Sequence, residues 1–169
     1  MQRLISFCLI LTVGLVLTAC DQTSSEPQTS TPDWLLTQAP SNSVDVAAAK
    51  RSVTEGQTIV IRGRIGGSAN PITLESGVLL LMDPAIPPCS DNPSDACVIP
   101  WDYCCETPDT KIANTATIQL RDASGTPIAL TPTDLAPLDT LIIIGTVGPR
   151  PNKETLMIYA TNIYKEPGA

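Results

Sequence analysis

The chain has 169 residues, a formal net charge of −7 and no histidine. The acidic balance gives no overall basic footprint for displacing counterions from phosphates, which disfavours generic nucleic-acid binding. The missing imidazole excludes Ser-His-Asp and Cys-His mechanisms within one chain. Hydrophobic residues make up 43% and aromatics 4%, so a core must rest on Ile, Val and Leu; 16 prolines and 10 glycines set many turns and few long helices.

The chain opens MQRLISFCLILTVGLVLTAC. Arg3 supplies a positive start, residues 4–17 an apolar run, and Thr18-Ala19 a small-residue site before Cys20. This predicts a secretory signal over residues 1–19, too short and wrongly flanked for a membrane-spanning helix. The tetrapeptide LTAC resembles the bacterial lipobox. The resemblance implies a diacylglycerol on the Cys20 thiol, cleavage just before it, and a lipid anchor on the exported side of the bacterial cell envelope. Each buried acyl methylene contributes about 0.8 kcal/mol to such an anchor. Asp21 resembles an inner-membrane retention signal of enterobacterial lipoproteins. Residues 20–43, rich in Ser, Thr, Gln and Pro, read as a flexible tether after the lipidated Cys20. Trp34-Leu35-Leu36 is a local exception, expected as a small patch docked on the domain, with a partner or membrane contact as the alternative.

The domain is expected over residues 44–169. Residues 44–50 suit one short helical turn. QTIVIRGRIGG then alternates, with Ile59, Ile61, Gly63 and Ile65 on one face and Arg62 and Arg64 on the other. Gly63 inside it suggests a bulge or bend. GVLLLMD is a continuous apolar run, and TATIQLRD sets Ala116, Ile118 and Leu120 on one face before an Asp122–Gly125 turn. LDTLIIIGTVG reads as the most buried strand. ETLMIYATNIYK alternates, with Met157, Tyr159, Thr161 and Ile163 on one side and Leu156, Ile158 and Ala160 on the other. One further helical turn is allowed near residues 131–139, capped by Thr133 or Asp134. The class is all-β: a small barrel of five or six strands, which removes sheet edges.

The order VIRGRI, VLLLMD, ATIQLRDASGTPI, LDTLIIIGTV, LMIYATNIY resembles a bacterial OB-fold domain, and the departure from that pattern is a long cysteine-rich insertion at 83–115. The resemblance implies that ligands meet the face of strands two and three and the adjoining loops, where the insertion lies. The segment PWDYCCE also resembles a group of uncharacterised planctomycete-type envelope proteins.

Cys8 belongs to the leader, and a lipidated Cys20 has no thiol. Cys89, Cys97, Cys104 and Cys105 remain, an even number in an exported domain, which predicts two disulfides. Adjacent Cys104 and Cys105 make a strained bridge, so the expected pairings are Cys89–Cys104 with Cys97–Cys105, or the reverse crossing. A zinc site prefers two C-x2–4-C knuckles, whereas the spacing here is C-x7-C-x6-C-C. In an extended chain the adjacent pair would point apart, a poor chelate. A redox C-x-x-C is absent. Asp83, Asp91, Asp95, Asp102, Glu106 and Asp109 make the loop acidic, a solvated surface or a hard-cation site. Trp101 is expected to plug the core, or to form with Tyr103 an exposed stacking platform. Arg62 and Arg64 are expected to pair with the acidic loop, or to bind an anion. The candidate binding surface is thus Trp101, Asp102, Tyr103, Arg62 and Arg64. The expected function is a non-enzymatic binding or structural module without a cofactor. It is held at a membrane by its lipid and engages a protein, glycan or cation through the insertion. The alternatives are a metal-binding or thiol-redox protein using the same cysteines and, by fold, nucleic-acid binding.

Overall fold

A computed structural model describes residues 31–92, 94, 96–132 and 135–168. The leader, Cys20, Asp95 and the capping pair Thr133-Asp134 lie outside the described residues. In chain order the elements are β1 (Val44–Asp45), α1 (Val46–Ser52), β2 (Thr58–Ile65), β3 (Ile72–Thr73), β4 (Val78–Met82), α2 (Pro108–Asn114), β5 (Thr115–Leu120), β6 (Thr140–Val147) and β7 (Met157–Lys165). Three short 3-10 turns join them, two of which lie in the insertion.

Five strands close a ring. β2 pairs antiparallel with β4 and β6, β4 with β5, β6 with β7, and parallel β5 and β7 complete the circuit. This is an OB-like all-β barrel with short β1 and β3 added outside the ring. Alternation explains it: Ile59, Ile61 and Ile65 of β2, and Ala116, Ile118 and Leu120 of β5, all point inward and are buried. Each fully buried Ile or Leu contributes about 1.5–3 kcal/mol. Among the described residues no helix is long and apolar enough to cross a membrane.

Two expectations about the strands change. At Gly63 the β2–β6 register runs unbroken, so no bulge forms there. Glycine is needed because an added Cβ would meet Leu81 Cβ at 2.9 Å, where β2 crosses closely over β4. The irregularity lies between β6 and β7: Gly145 faces Ala160 and Ile144 faces Asn162, so Thr161 is the extra residue. That one-residue slip reverses the inward face, burying Ile158 and Ala160 on one side of it and Ile163 on the other. Simple alternation had set Ile163 opposite Ile158.

The last part of the expected tether packs on the barrel. Trp34 is buried, the Leu36 amide donates to Ile163 O at 2.8 Å, and the Ile163 amide donates to Trp34 O at 2.8 Å. These residues extend the sheet beyond β7 for one step.

Candidate functional site

The insertion leaves the barrel after β4 and returns as β5. Its ends are clamped where the Asp83 amide donates to Asn114 O at 2.8 Å. Asp83 itself is buried, and its carboxylate accepts from the Ala47 amide at 2.7 Å and the Ala85 amide at 2.9 Å. It therefore caps the start of α1 from a distant part of the chain, and does not belong to an acidic surface.

Between these ends the insertion folds into a cap. Helix α2, too short to show a helical period, has start signals legible in the sequence: the Thr107 hydroxyl accepts from the Thr110 amide, Pro108 stands at the first turn, and Asp109 follows it. Lys111 of α2 donates to Asp102 O at 3.0 Å, and Lys50 of α1 donates to Ile112 O.

The cap docks through Trp101 and Tyr103, in roles opposite to those expected. Tyr103 is fully buried and Trp101 is half-buried. The cause is backbone geometry: Pro100–Asp102 is a 3-10 turn, and Tyr103 ends it in the left-handed region at φ 54°. Tyr103 therefore offers no exposed face, and no shared stacking platform forms. The Trp101 carbonyl accepts from the Gly67 amide at 2.8 Å, and its indole N–H donates to Ala69 O at 3.0 Å. Tyr103 lies against Gly66, where an added Cβ would sit 2.7 Å from its ring. Burial pushes the Tyr103 hydroxyl pKa up, and nearby Arg64 opposes this. The two groups are close, yet neither Tyr103 Oη nor Arg64 Nη1 makes a hydrogen bond of good geometry.

Arg62 serves the barrel. It makes a two-pronged pair with Glu166, at 3.0 and 2.8 Å, and a looser contact with Asp45 at 3.8 Å. Asp102 Oδ1 accepts from the Cys104 amide at 2.8 Å, shaping the turn that carries the cysteines.

The four cysteines converge. All four sulfurs lie within 4.8 Å of one another. Cys89 Sγ is 3.7 Å from Cys104 and 3.8 Å from Cys105; Cys104 and Cys105 are 3.9 Å apart; Cys97 and Cys104 are 2.6 Å apart. No pair stands at the bonded distance of about 2.05 Å, so neither expected disulfide pairing is present. The adjacent pair does not splay, because the left-handed Tyr103 and the Asp102 turn replace the extended chain on which that expectation rested. Cys89 is buried, Cys97 half-buried, and Cys104 and Cys105 exposed. Burial raises the Cys89 thiol pKa, but the Cys105 amide and the three neighbouring sulfurs outweigh it and hold the thiol below its ordinary value.

Comparison with protein-family models, curated proteins and solved structures finds no match for this chain. What the residues can do chemically therefore rests on their geometry.

Two cavities bear on that question. A wide one of about 850 Å³ is lined by Lys50, Arg51, Arg150 and Lys153. Its half-buried Arg150 and buried Lys50 serve structure: Arg150 donates to the carbonyls of Lys50, Val53, Lys153 and Thr155, and Lys50 to Ile112 O. The smaller, of about 170 Å³, lies against the sulfurs and is lined by Cys89, Cys105, Tyr103, Asp91 and Glu106. Two of the four cysteines, Cys89 and Cys105, thus face this second cavity.

Proposed function

We propose that the protein is a lipid-anchored envelope module whose barrel carries a four-thiolate centre for a zinc-class divalent ion. The observation that carries this reading is the convergence of Cys89, Cys97, Cys104 and Cys105 within 4.8 Å. A tetrahedron with metal–sulfur bonds of about 2.3 Å has sulfur–sulfur edges of about 3.8 Å. Three of the sulfur–sulfur edges, at 3.7, 3.8 and 3.9 Å, match it. The Cys105 amide directed at Cys89 is the kind of outer hydrogen bond that steadies a metal thiolate. Zinc has no geometric preference of its own and accepts four cysteines in structural sites. Such an ion would do for the cap what its few apolar residues cannot, fixing the turns that hold Trp101 and Tyr103 on the barrel. The cap then presents the surface at which a protein, glycan or cation partner is met. The anchor reading rests on the LTAC site and the apolar run before Cys20.

The test is elemental analysis of the protein purified without chelator, followed by cobalt substitution. One equivalent of zinc, and an intense thiolate-to-cobalt charge-transfer band that weakens in Cys97→Ser, are expected. Metal-free protein whose four thiols react fully with an alkylating agent and bind no cobalt overturns the reading. The anchor is tested separately: Cys20→Ser should move the protein from the membrane fraction to the soluble one.

A further inference from the structure

Resting on the four-thiolate reading, we propose that the centre is a peroxide-gated metal switch in which Cys97 and Cys104 close as a disulfide and release the ion. The four sulfurs are not equivalent. Three edges suit a metal tetrahedron, but the Cys97–Cys104 edge, at 2.6 Å, is well inside sulfur–sulfur van der Waals contact. Exposure divides them the same way. Cys89 is buried, while Cys104 and Cys105 are exposed and Cys97 is half-buried, so an oxidant in solvent reaches the outer sulfurs first.

Among the outer sulfurs, geometry selects one pair. Cys104 and Cys105 are neighbours in the chain, with Cα atoms about 3.8 Å apart, shorter than the roughly 4.4–6.8 Å that a relaxed disulfide spans. Cys97 and Cys104 carry no such restriction, and their sulfurs already touch. Cys89 and Cys105, 3.8 Å apart, are the two thiolates left behind. A two-thiolate remnant, half of it exposed, holds a zinc-class ion far more weakly than four.

The chemistry balances with a peroxide as oxidant. The Cys104 thiolate attacks one peroxide oxygen, forming a sulfenic acid and expelling hydroxide. The Cys97 thiolate attacks that sulfur, forming the S–S bond and expelling a second hydroxide. Two electrons pass from the sulfurs to the O–O bond, two metal–sulfur bonds are lost, and the metal keeps its charge because zinc has no accessible redox change. A thiol reductant returns both thiolates by exchange: its thiolate attacks the Cys97–Cys104 bond, a mixed disulfide forms, and a second reductant thiolate displaces the remaining cysteine as the reductant becomes a disulfide.

The experiment uses the full chain in detergent, loaded with zinc under reductant and then freed of reductant anaerobically. Hydrogen peroxide is added at one equivalent, with a chromogenic zinc chelator and non-reducing peptide mapping as readouts. Stoichiometric zinc release, a Cys97–Cys104 linked peptide and renewed zinc binding after reduction are expected. In Cys105→Ser the same linked peptide should form even where metal affinity has fallen. Zinc retained under peroxide, a linkage between any other pair, or oxidation stopping at a sulfinic acid on Cys104 overturns the switch and leaves the four-thiolate reading standing. Failure to load zinc at all overturns both.

Discussion

The barrel and its cap are built on different principles. In the barrel every ring strand has two neighbours, and the interior is filled by interchangeable Ile, Leu and Val side chains. Among the described residues of 84–114, the buried ones are Pro88, Cys89 and Tyr103. The cap is held by a handful of specific contacts: the sulfur cluster, the Trp101 hydrogen bonds, and Tyr103 against Gly66. Distributed packing makes a region cooperative and tolerant, whereas concentrated contacts make a region that opens as a unit while its support stays folded. The difference places the candidate chemistry on the part of the molecule that can move at least cost.

The largest effect that separates the two regions is a cavity in the ring. Ile118 is fully buried, and Ile118→Ala should cost about 2–5 kcal/mol of global stability. Denaturant unfolding should show the cap lost no later than the barrel, since the cap has nothing else to rest on. A cap that outlasts the barrel would break the comparison. Next in size, on the four-thiolate reading, is withdrawal of metal. A chelator should remove hydrogen-exchange protection from amides between residues 89 and 106 and leave that of β2 and β6 unchanged. Equal loosening of the ring strands would show that cap and barrel are one unit.

A smaller effect tests the docking surface. Gly66→Ala drives a methyl into the Tyr103 ring and toward the Trp101 carbonyl, 2.8 Å from the added Cβ. It should lift the cap, read as local exchange and weaker metal retention, at a cost of about 1–3 kcal/mol. Tyr103→Phe is its control. The hydroxyl is buried without a well-formed hydrogen bond, so its removal should be neutral or slightly stabilising. A loss above about 1 kcal/mol would mean that Arg64 engages the hydroxyl more strongly than its geometry indicates.

Legibility in the sequence follows the same division. Period-two burial named the inward residues of β2 and β5 because local alternation is enough to place them. It failed beyond Thr161, since an inserted residue reverses the faces without changing composition. In the cap, spacing spoke against a chelate because C-x7-C-x6-C-C was read on an extended chain. The deciding features are a left-handed Tyr103 and an Asp102 turn, and only the Asp carries a turn preference in sequence. Gly66-Gly67 signals close approach but does not say what approaches. Thr107-Pro108-Asp109 was a readable helix start, obscured by the shortness of α2. Asp83 looked like surface charge because a cap supplied across 36 residues leaves no local signature.

The smallest expected effect concerns Arg62, which sequence reasoning had aimed at the acidic loop. Its partner is Glu166, just past β7, and the pair ties that end of the chain to β2 on the barrel surface. The Arg62 guanidinium holds the Glu166 carboxyl below its ordinary value. A carboxylate with a lowered folded-state pKa contributes stability above the unfolded value, about 4.3, and that contribution disappears as pH falls through the lower folded value. Glu166→Gln should therefore cost at most about 1 kcal/mol at neutral pH, because both side chains remain partly solvated. The difference from the unaltered protein should shrink in acid as its own Glu166 protonates, and shrink again in high salt. Zinc release and exchange in the cap should not change. If Glu166→Gln instead loosened the cap, Arg62 would be acting across the boundary between the two regions, and their separation would fail at this ion pair.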